Sequence, residues 1–357
     1  MADFRHESKF RDRFMRRTIE HALPRPDWWR VRIEELTEDM KTVRKGKLEI
    51  IARTPGDFPV YAVIYGPETG EKRKVNWPSA TGSLRPEVYS DNDPQVIMIA
   101  AGIHGEETEG ICTVSNLISL LEKGVDHRGK ERPYLLELCS RYRLVLLPCV
   151  NMDGRAVAPD CLNSCTPADY APLHTWLKNG QYLKWPDLKE YFPMPMEEVT
   201  QLGTYYNSDG YNIMLDCVPG SIKTAEARAL LQLSDRERID CLLNLHSGAS
   251  AAHIIPPSFM NYPEHMKTIF AIRRKWYEKE GISTEGMIDE PVYGQIDINT
   301  AVTMATGAAA MTVEYDALAP EPFDNKLECG YRLLESVMEY GLKHKFASRR
   351  KIMGKED

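Results

Sequence analysis

His104 and Glu107 have the residue types and the spacing that a metal site requires. They lie in the segment AGIHGEETEG, residues 101–110, which directly follows the apolar run VIMIA. A three-residue offset at the end of a buried strand, where a helix begins, lets an imidazole and a carboxylate converge on one ion. The H-x-x-E spacing alone is a weak signal in a chain of this length. It predicts a metal site only together with a third ligand.

His246 is the candidate for the third ligand. It ends the apolar run LLNLHSG and so matches His104 in its place after a predicted strand. Two histidines and one glutamate form the ligand set of a catalytic zinc site that keeps a fourth position open for water. A lone histidine at a strand end is more often a core residue, so the assignment of His246 depends on its pairing with His104 and Glu107. The set suits zinc better than iron or nickel, with one Zn²⁺ per chain.

Unbroken apolar strands alternate with helices from residue 95 onward. The strand segments are QVIMIAAG, YRLVLLPCVN, IDCLLNLHSG and AAMTVEY, and TVSNLISLLEKG reads as a helix. Strands that are apolar on both faces predict an α/β fold, with a central mostly parallel or mixed sheet and helices on both faces. In such sheets, ligands bind beyond the carboxyl ends of the strands. Three of these runs end in a polar residue: His104, His246 and Glu314.

The remaining segments predict a single main domain with two appendages. Residues 1–45 read as an N-terminal helical leader interrupted by LPRP, residues 46–345 as the main domain, and residues 346–357 as a basic tail. Within the main domain, KLEIIAR and PVYAVIYG predict an antiparallel strand pair. The aromatic-rich stretch 156–206 is either a wall or lid of a site or a packed surface loop.

Composition limits the classes of partner. The 357 residues include 45 basic and 52 acidic side chains, a net charge of −7, so no broad basic field is available for nucleic acid. The charged N-terminus has no apolar core of a secretory signal, and no stretch approaches the length of a membrane span. The eight cysteines are scattered and read as free thiols. These features predict a cytoplasmic protein without a membrane partner, and they leave its oligomeric state open.

Five motifs in a fixed order resemble the zinc metallocarboxypeptidases of the carboxypeptidase A superfamily over roughly residues 45–345. They are H-x-x-E, NMDG, TAEARAL, NLHS and MTVEY. The resemblance implies a carboxypeptidase-like fold, a Zn²⁺ cofactor and hydrolysis of a peptide or amide bond. Carried over position by position, it implies that His104, Glu107 and His246 are the zinc ligands.

The same resemblance implies that Glu314 is the general base. Zinc lowers the pKa of its bound water to about 7, and a nearby carboxylate takes the proton and passes it to the leaving nitrogen. A glutamate that ends the apolar strand AAAMTVEY is partly desolvated, which raises its pKa and suits it to this role. The segment YGQIDINT resembles the family segment before the last strand, and it puts Tyr293 where a substrate-facing tyrosine is expected.

One motif departs from the family pattern. Members that bind the terminal carboxylate of a peptide usually carry an Asn-Arg pair after a G-V-D-L type segment. Here GYNIMLD has Met214 and Leu215 in those places, and no arginine occurs between Arg155 and Arg228. Arg155, directly after NMDG, is the arginine best placed in sequence to bind the substrate anion or the oxyanion. A plain surface role for Arg155 is an equal alternative.

The leading hypothesis is a zinc-dependent hydrolase of the metallocarboxypeptidase type, acting on a peptide by metal-activated water. A deacylase resembling aspartoacylase and succinylglutamate desuccinylase, acting on an N-acyl amino acid, is the alternative enzyme. A non-catalytic zinc-binding protein is the alternative of another class. Glu314 argues against the last, since a purely structural metal site has no use for a free base.

Overall fold

Apolar strands build a seven-stranded central sheet. The structure is a computed structural model, and it describes residues 15–20, 22–68, 94–184, 186–218, 220–248, 252–256, 263–285, 287 and 296–346. In these ranges the strands of the central sheet are β1 (Lys47–Arg53), β2 (Pro59–Tyr65), β3 (Val96–Ala101), β4 (Arg143–Leu147), β8 (Cys241–Gly248), β9 (His253–Ile255) and β10 (Ala309–Asp316). Strands β5 (Thr175–Leu177), β6 (Tyr182–Leu183) and β7 (Val199–Gln201) form a second, three-stranded sheet.

The central sheet is mixed, with a parallel middle. Its strand order is β1-β2-β4-β3-β8-β10-β9. Strands β4, β3, β8 and β10 run parallel to one another, whereas the pairs β1–β2, β2–β4 and β10–β9 are antiparallel. The carboxyl ends of β3, β8 and β10 therefore meet at one edge of the sheet. The predicted mixed sheet and the predicted β1–β2 pair are confirmed.

Helices cover both faces of this sheet. Those in the described ranges are α1 (Ile33–Lys41), α2 (Thr108–Lys123), α3 (Pro133–Cys139), α4 (Met152–Val157), α5 (Ala225–Glu237), α6 (Pro263–Glu280), α7 (Ile298–Thr306) and α8 (Phe323–His344). Alternate strand residues enter two separate cores. Ile97 and Leu243 pack in a core with α2, α6 and α8, while Met98 and Leu242 pack in a core with α5 and α7. Burial on both faces explains why these strands carry unbroken apolar runs.

The leader is less helical than its sequence predicts. Among its described residues, α1 is the helical part, and the chain before Ile33 forms turns and extended segments. Its apolar residues Trp29, Leu36 and Met40 are buried in the core that also contains α2 and α8. The leader thus packs against the main domain and shares one hydrophobic core with it. At the C-terminal end of the chain, Phe346, which the sequence assigned to the basic tail, is buried in the same core. Residues 347–357 of the tail lie outside the described residues.

The aromatic-rich stretch contains its own small structure. Strands β5, β6 and β7 each have only two or three residues, too few to give a readable period in the sequence. They enclose a small core of Leu177, Leu183, Leu188, Met194 and Tyr206. In the described part of the chain, no helix combines the length and the apolar character needed to span a membrane.

Candidate metal centre

The turn after β3 presents His104 and Glu107 at the carboxyl edge of the sheet. Gly102 has a φ of +63°, a left-handed conformation that glycine adopts without strain and that ends the strand abruptly. Glu107 is the N-cap residue of α2, so its backbone position is fixed by the helix. Strand β3 pairs in parallel with β8, and Ala101 lies opposite Leu245. This register brings His246, the next residue of β8, level with the turn.

The three predicted ligands converge. The Nδ1 atom of His104 lies 2.8 Å from Oε1 of Glu107, and Nδ1 of His246 lies 2.8 Å from Oε2 of the same carboxylate. All three donor groups lie within 4.8 Å of one another, and the residues are only 7%, 3% and 2% exposed in the order His104, Glu107, His246. Within the described ranges, this is the one group of three or more His, Cys, Asp or Glu side chains with such spacing.

The electrostatics of the cluster fit a divalent cation. Burial disfavours ionisation of Glu107, but the two imidazoles outweigh it and lower the Glu107 pKa to about 2. Burial also opposes protonation of His246, yet the Glu107 charge raises the His246 pKa to about 9. A buried carboxylate between two imidazole nitrogens is thus held as an anion. The donor set, an ionised carboxylate and two imidazoles, is one that binds Zn²⁺, and metal binding would displace the proton that the Glu107 charge favours on His246.

Glu314 is next to this cluster on the adjacent strand. It lies opposite His246 in the parallel pairing of β10 with β8, and opposite His253 in the antiparallel pairing with β9. Burial raises the Glu314 pKa, the His246 charge partly offsets this rise, and the Glu107 charge adds to it. A carboxylate with a raised pKa beside the three predicted ligands can accept a proton.

Gly105 lies between the two predicted ligands of the turn, and hydrogen bonds hold both its N–H group and its carbonyl oxygen. Its N–H donates to the carbonyl oxygen of Thr204 at 2.9 Å, and its carbonyl oxygen accepts from Nη1 of Arg155 at 2.6 Å. An added Cβ would overlap backbone atoms of Gly154 and Arg155. The site therefore requires glycine here for close approach of the chain after β4.

Arg155 is held by backbone carbonyl groups. Its guanidinium is fully buried and donates to the carbonyl oxygens of Gly105, Ala158 and Pro159. Burial, together with the charge of nearby Arg16, lowers the Arg155 pKa to about 10. The expectation that Arg155 binds a substrate anion or an oxyanion does not fit this geometry, because its terminal nitrogens are already used by backbone carbonyls. Tyr293 lies outside the described residues.

The Asn-Arg pair has no replacement at its expected place. Met214 and Leu215 lie in a short 3₁₀ helix, Ile213–Leu215, between α5 and α7. Met214 is buried, and its sulfur accepts a hydrogen bond from Nδ2 of Asn244 at 3.3 Å. Both side chains at these positions are thus apolar groups that contribute no charge to the site.

Sequence reasoning missed the contacts made by residues 204 and 205. The Tyr205 ring stacks on the His104 imidazole with 3.9 Å between ring centroids and 20° between planes. The buried carboxylate of Glu106 has a pKa raised to about 7 by burial and by the Glu107 charge, and Thr204 donates a hydrogen bond to it. Nothing in the sequence singles out Tyr205 among the aromatic residues of its segment. At its end, the stretch 156–206 thus contacts the turn that carries His104 and Glu107 through residues 204 and 205.

The NMDG motif is structural. The carboxylate of Asp153 accepts hydrogen bonds from the backbone N–H groups of Gly56 and Ser208 and from the Thr54 hydroxyl. Asn151 accepts from the N–H of Gly154 at 2.9 Å. Together they fix the turn after β4 against which Gly105 packs.

The zinc carboxypeptidase family model matches residues 48–314, well over half of the chain. This chain belongs to the zinc carboxypeptidase family. The match spans the metal centre from β1 to Glu314, so this zinc carboxypeptidase is a zinc-dependent peptide hydrolase. No curated protein sequence gives a significant match.

Solved structures support the fold of this zinc carboxypeptidase. A metallo-carboxypeptidase from Burkholderia cenocepacia is similar with a TM-score of 0.56 at 13% identity, over 87% of this chain and 69% of that one. A metallo-carboxypeptidase from Pseudomonas aeruginosa, in complex with (2-guanidinoethylmercapto)succinic acid, gives 0.52 at 12% identity, over 86% and 67%. At these identities the likeness establishes the fold alone.

Proposed function

We propose that His104, Glu107 and His246 bind the catalytic zinc and that Glu314 is the general base of peptide hydrolysis. The observation that carries this proposal is the convergence of two imidazole Nδ1 atoms on one buried carboxylate, with Glu314 in register beside His246. We propose further that Arg155 is a positioning residue, which holds the turn between the ligands through the Gly105 carbonyl.

Zinc, when bound, acts as a Lewis acid on the scissile carbonyl and brings the pKa of a water molecule near neutrality. Glu314 accepts the proton of the attacking water and returns it to the leaving nitrogen. The raised pKa of Glu314 favours the first transfer, since a more basic carboxylate accepts the proton of the water more readily and holds it until the leaving nitrogen takes it. Burial of the cluster limits competing water and strengthens each electrostatic contact.

Substitution of Glu314 by glutamine tests the catalytic role. We expect Glu314→Gln to keep about one equivalent of zinc, because Glu314 is not a ligand, and to lose at least about 100-fold in kcat, because glutamine cannot accept the proton. Zinc content by elemental analysis and peptide hydrolysis by mass spectrometry check both parts. Glu137→Gln, on the exposed face of α3, is the matched control with unchanged kcat. Activity of Glu314→Gln equal to that of the control would contradict the assignment.

The same assay defines the substrate. We propose a peptide substrate that is not held by the Asn-Arg pair, because Met214 and Leu215 occupy those positions. A mixed pool of peptides with free and amidated C-termini, together with N-acyl amino acids, distinguishes the possibilities. Equal cleavage of free and amidated peptides is the expected result. Exclusive cleavage of N-acyl amino acids would instead favour the deacylase alternative.

We also propose a cytoplasmic location. All eight cysteines are free thiols, and seven of them are buried. Reduced cysteines are typical of proteins in a reducing compartment. Fractionation of cells that express the natural chain tests this proposal, with recovery of the protein outside the cytosolic fraction as the contradicting result.

A further inference from the structure

The extended part of the leader passes beside the metal centre. The backbone N–H of Arg17 donates to the Val157 carbonyl at 2.9 Å, which attaches the leader to the end of α4. Arg16 and Arg17 then reach different partners. Nη1 of Arg16 lies 2.5 Å from Oδ1 of Asp160, whereas Nη2 of Arg17 donates to the Leu202 carbonyl.

The segment that Arg17 holds is the one that touches the ligands. Two residues after Leu202, the buried Thr204 accepts the hydrogen bond from Gly105, the residue next to His104. The following residue, Tyr205, stacks its ring on the His104 imidazole. A shift of residues 202–205 would therefore change the orientation of a ligand and of the turn that carries it.

The charge of Arg17 is also suited to this place. Glu106, between the two ligands of the turn, interacts electrostatically with Arg17, and this interaction opposes the lowering of the Arg17 pKa by burial. The Nη1 atom of Arg17 and the Oε2 atom of Glu106 are both buried without a hydrogen-bond partner in the described part of the chain. Arg17 and Glu106 thus interact through space without a direct hydrogen bond between them.

We propose that Arg17 is a positioning residue of the metal centre. It holds residues 202–205 against the turn that follows β3, so that His104 keeps the orientation needed for zinc. This inference rests on the proposed function in one respect, the assignment of His104 as a zinc ligand. Residues that orient metal ligands without binding the metal typically change metal affinity or activity by about 10- to 100-fold when they are substituted.

Two substitutions of Arg17 and one of Arg16 test this inference on the full chain. Arg17→Met removes the charge and the N–H donors of the guanidinium, while Arg17→Lys keeps the charge. Arg16→Met is the matched control, because Arg25 and Arg32 still pair with Asp160 in its absence. Zinc affinity is measured by competition with a chelator, without substrate. Values of kcat and KM at saturating zinc, and the unfolding temperature, are measured in parallel.

We expect Arg17→Met to weaken zinc binding by about 10-fold or more and to lower kcat with KM nearly unchanged. Arg17→Lys should recover part of the loss, and Arg16→Met should stay within about twofold of the wild type. Equal losses of zinc affinity in Arg16→Met and Arg17→Met would overturn the inference, since they would show only that the leader must pack against the main domain. An increase in KM at constant kcat would overturn it as well, because Arg17 would then bind substrate.

The wild-type protein separates this inference from the proposed function. If the wild type binds zinc and Arg17→Met binds it with the same affinity, only the role of Arg17 is overturned. A wild type that binds no zinc overturns the proposed ligand set, and with it the role of Arg17. Unfolding temperatures of Arg17→Lys and Arg16→Met within a few degrees of the wild type show that the comparison is made on folded proteins.

Discussion

Buried carboxylates of this protein differ in pKa because their partners differ. Glu107 lies between two imidazoles, which outweigh its burial and keep it ionised. Glu226, in the first turn of α5, is equally buried but accepts a single hydrogen bond, from Nδ2 of Asn207 at 3.2 Å. Burial raises the Glu226 pKa to about 7, and the negative charges of Asp153 and Asp209 contribute to this rise. The proposed ligand Glu107 and the structural glutamate Glu226 are thus distinguished by their contacts.

The raised pKa of Glu226 predicts a loss of stability as pH rises. The unfolded chain loses the Glu226 proton near pH 4.5, whereas the folded protein keeps it up to about pH 7. Between these values the folded state binds more protons, so the free energy of unfolding falls as pH increases. Glu226→Gln removes this contribution. We expect the decrease in unfolding free energy from pH 5 to pH 8 to be smaller in Glu226→Gln than in the wild type, by about 1–3 kcal/mol.

Denaturant unfolding at the two pH values measures this difference, with Glu137→Gln as the exposed control. A Glu226→Gln variant with the same pH dependence as the wild type would show that Glu226 is ionised in the folded protein at neutral pH.

At the scale of elements, the centre depends on the close packing of three chain segments. The turn after β3, the turn after β4 and residues 203–205 contact one another through backbone atoms, with glycine at the points of closest approach. Gly105 packs on Gly154, and a Cβ added at Gly154 would in turn overlap the Thr204 carbonyl oxygen. The ligands are thus positioned by backbone contacts between loops as well as by the strands that precede them.

Gly105→Ala should disturb this packing. The added methyl group meets backbone atoms that cannot rotate away, so we expect a loss of about 1–3 kcal/mol in unfolding free energy and weaker zinc binding. Gly180→Ala is the control for steric overlap, because its Cβ meets open space; its φ of +81° adds a backbone strain that Gly105 does not have, and it lies outside the candidate site. Zinc affinity and thermal unfolding of both variants check the prediction. Wild-type zinc affinity in Gly105→Ala would mean that the turn relaxes without moving its ligands.

At the scale of the whole molecule, the leader and the main domain are one packed unit. Trp29 from the leader contacts Phe323 at the start of α8, with 4.9 Å between ring centroids. Arg16, Arg25 and Arg32 converge on Asp160, and their charges lower the Asp160 pKa although burial opposes this. The leader therefore contributes to the shared core as well as to the surroundings of the metal centre.

Zinc removal should destabilise this unit as a whole. A metal that binds only the folded state adds RT ln(1 + [L]/Kd), about 4 kcal/mol at a free concentration 1,000 times Kd. We expect excess zinc to raise the unfolding temperature of metal-free protein by roughly 5 °C or more. His246→Ala should lose most of this rise, because it removes one of three ligands. Circular dichroism melts of both proteins with and without zinc test the expectation, which an equal rise in His246→Ala would contradict.

The sequence by itself determined the mixed sheet and the three ligand candidates. Unbroken apolar runs reflect burial on both faces of the sheet. A polar residue at the end of such a run costs free energy unless it is hydrogen-bonded or binds a metal, so His104, His246 and Glu314 could be predicted as site residues from the sequence. The ordered motifs then indicated the family.

Only the tertiary structure revealed the surroundings of the candidate site. The guanidinium of Arg155 donates hydrogen bonds to backbone carbonyl oxygens, the Tyr205 ring stacks on His104, and Arg17 of the leader donates to the Leu202 carbonyl oxygen. These contacts join residues far apart in the chain and have no period or spacing, because they depend on how loops pack after the strands have paired.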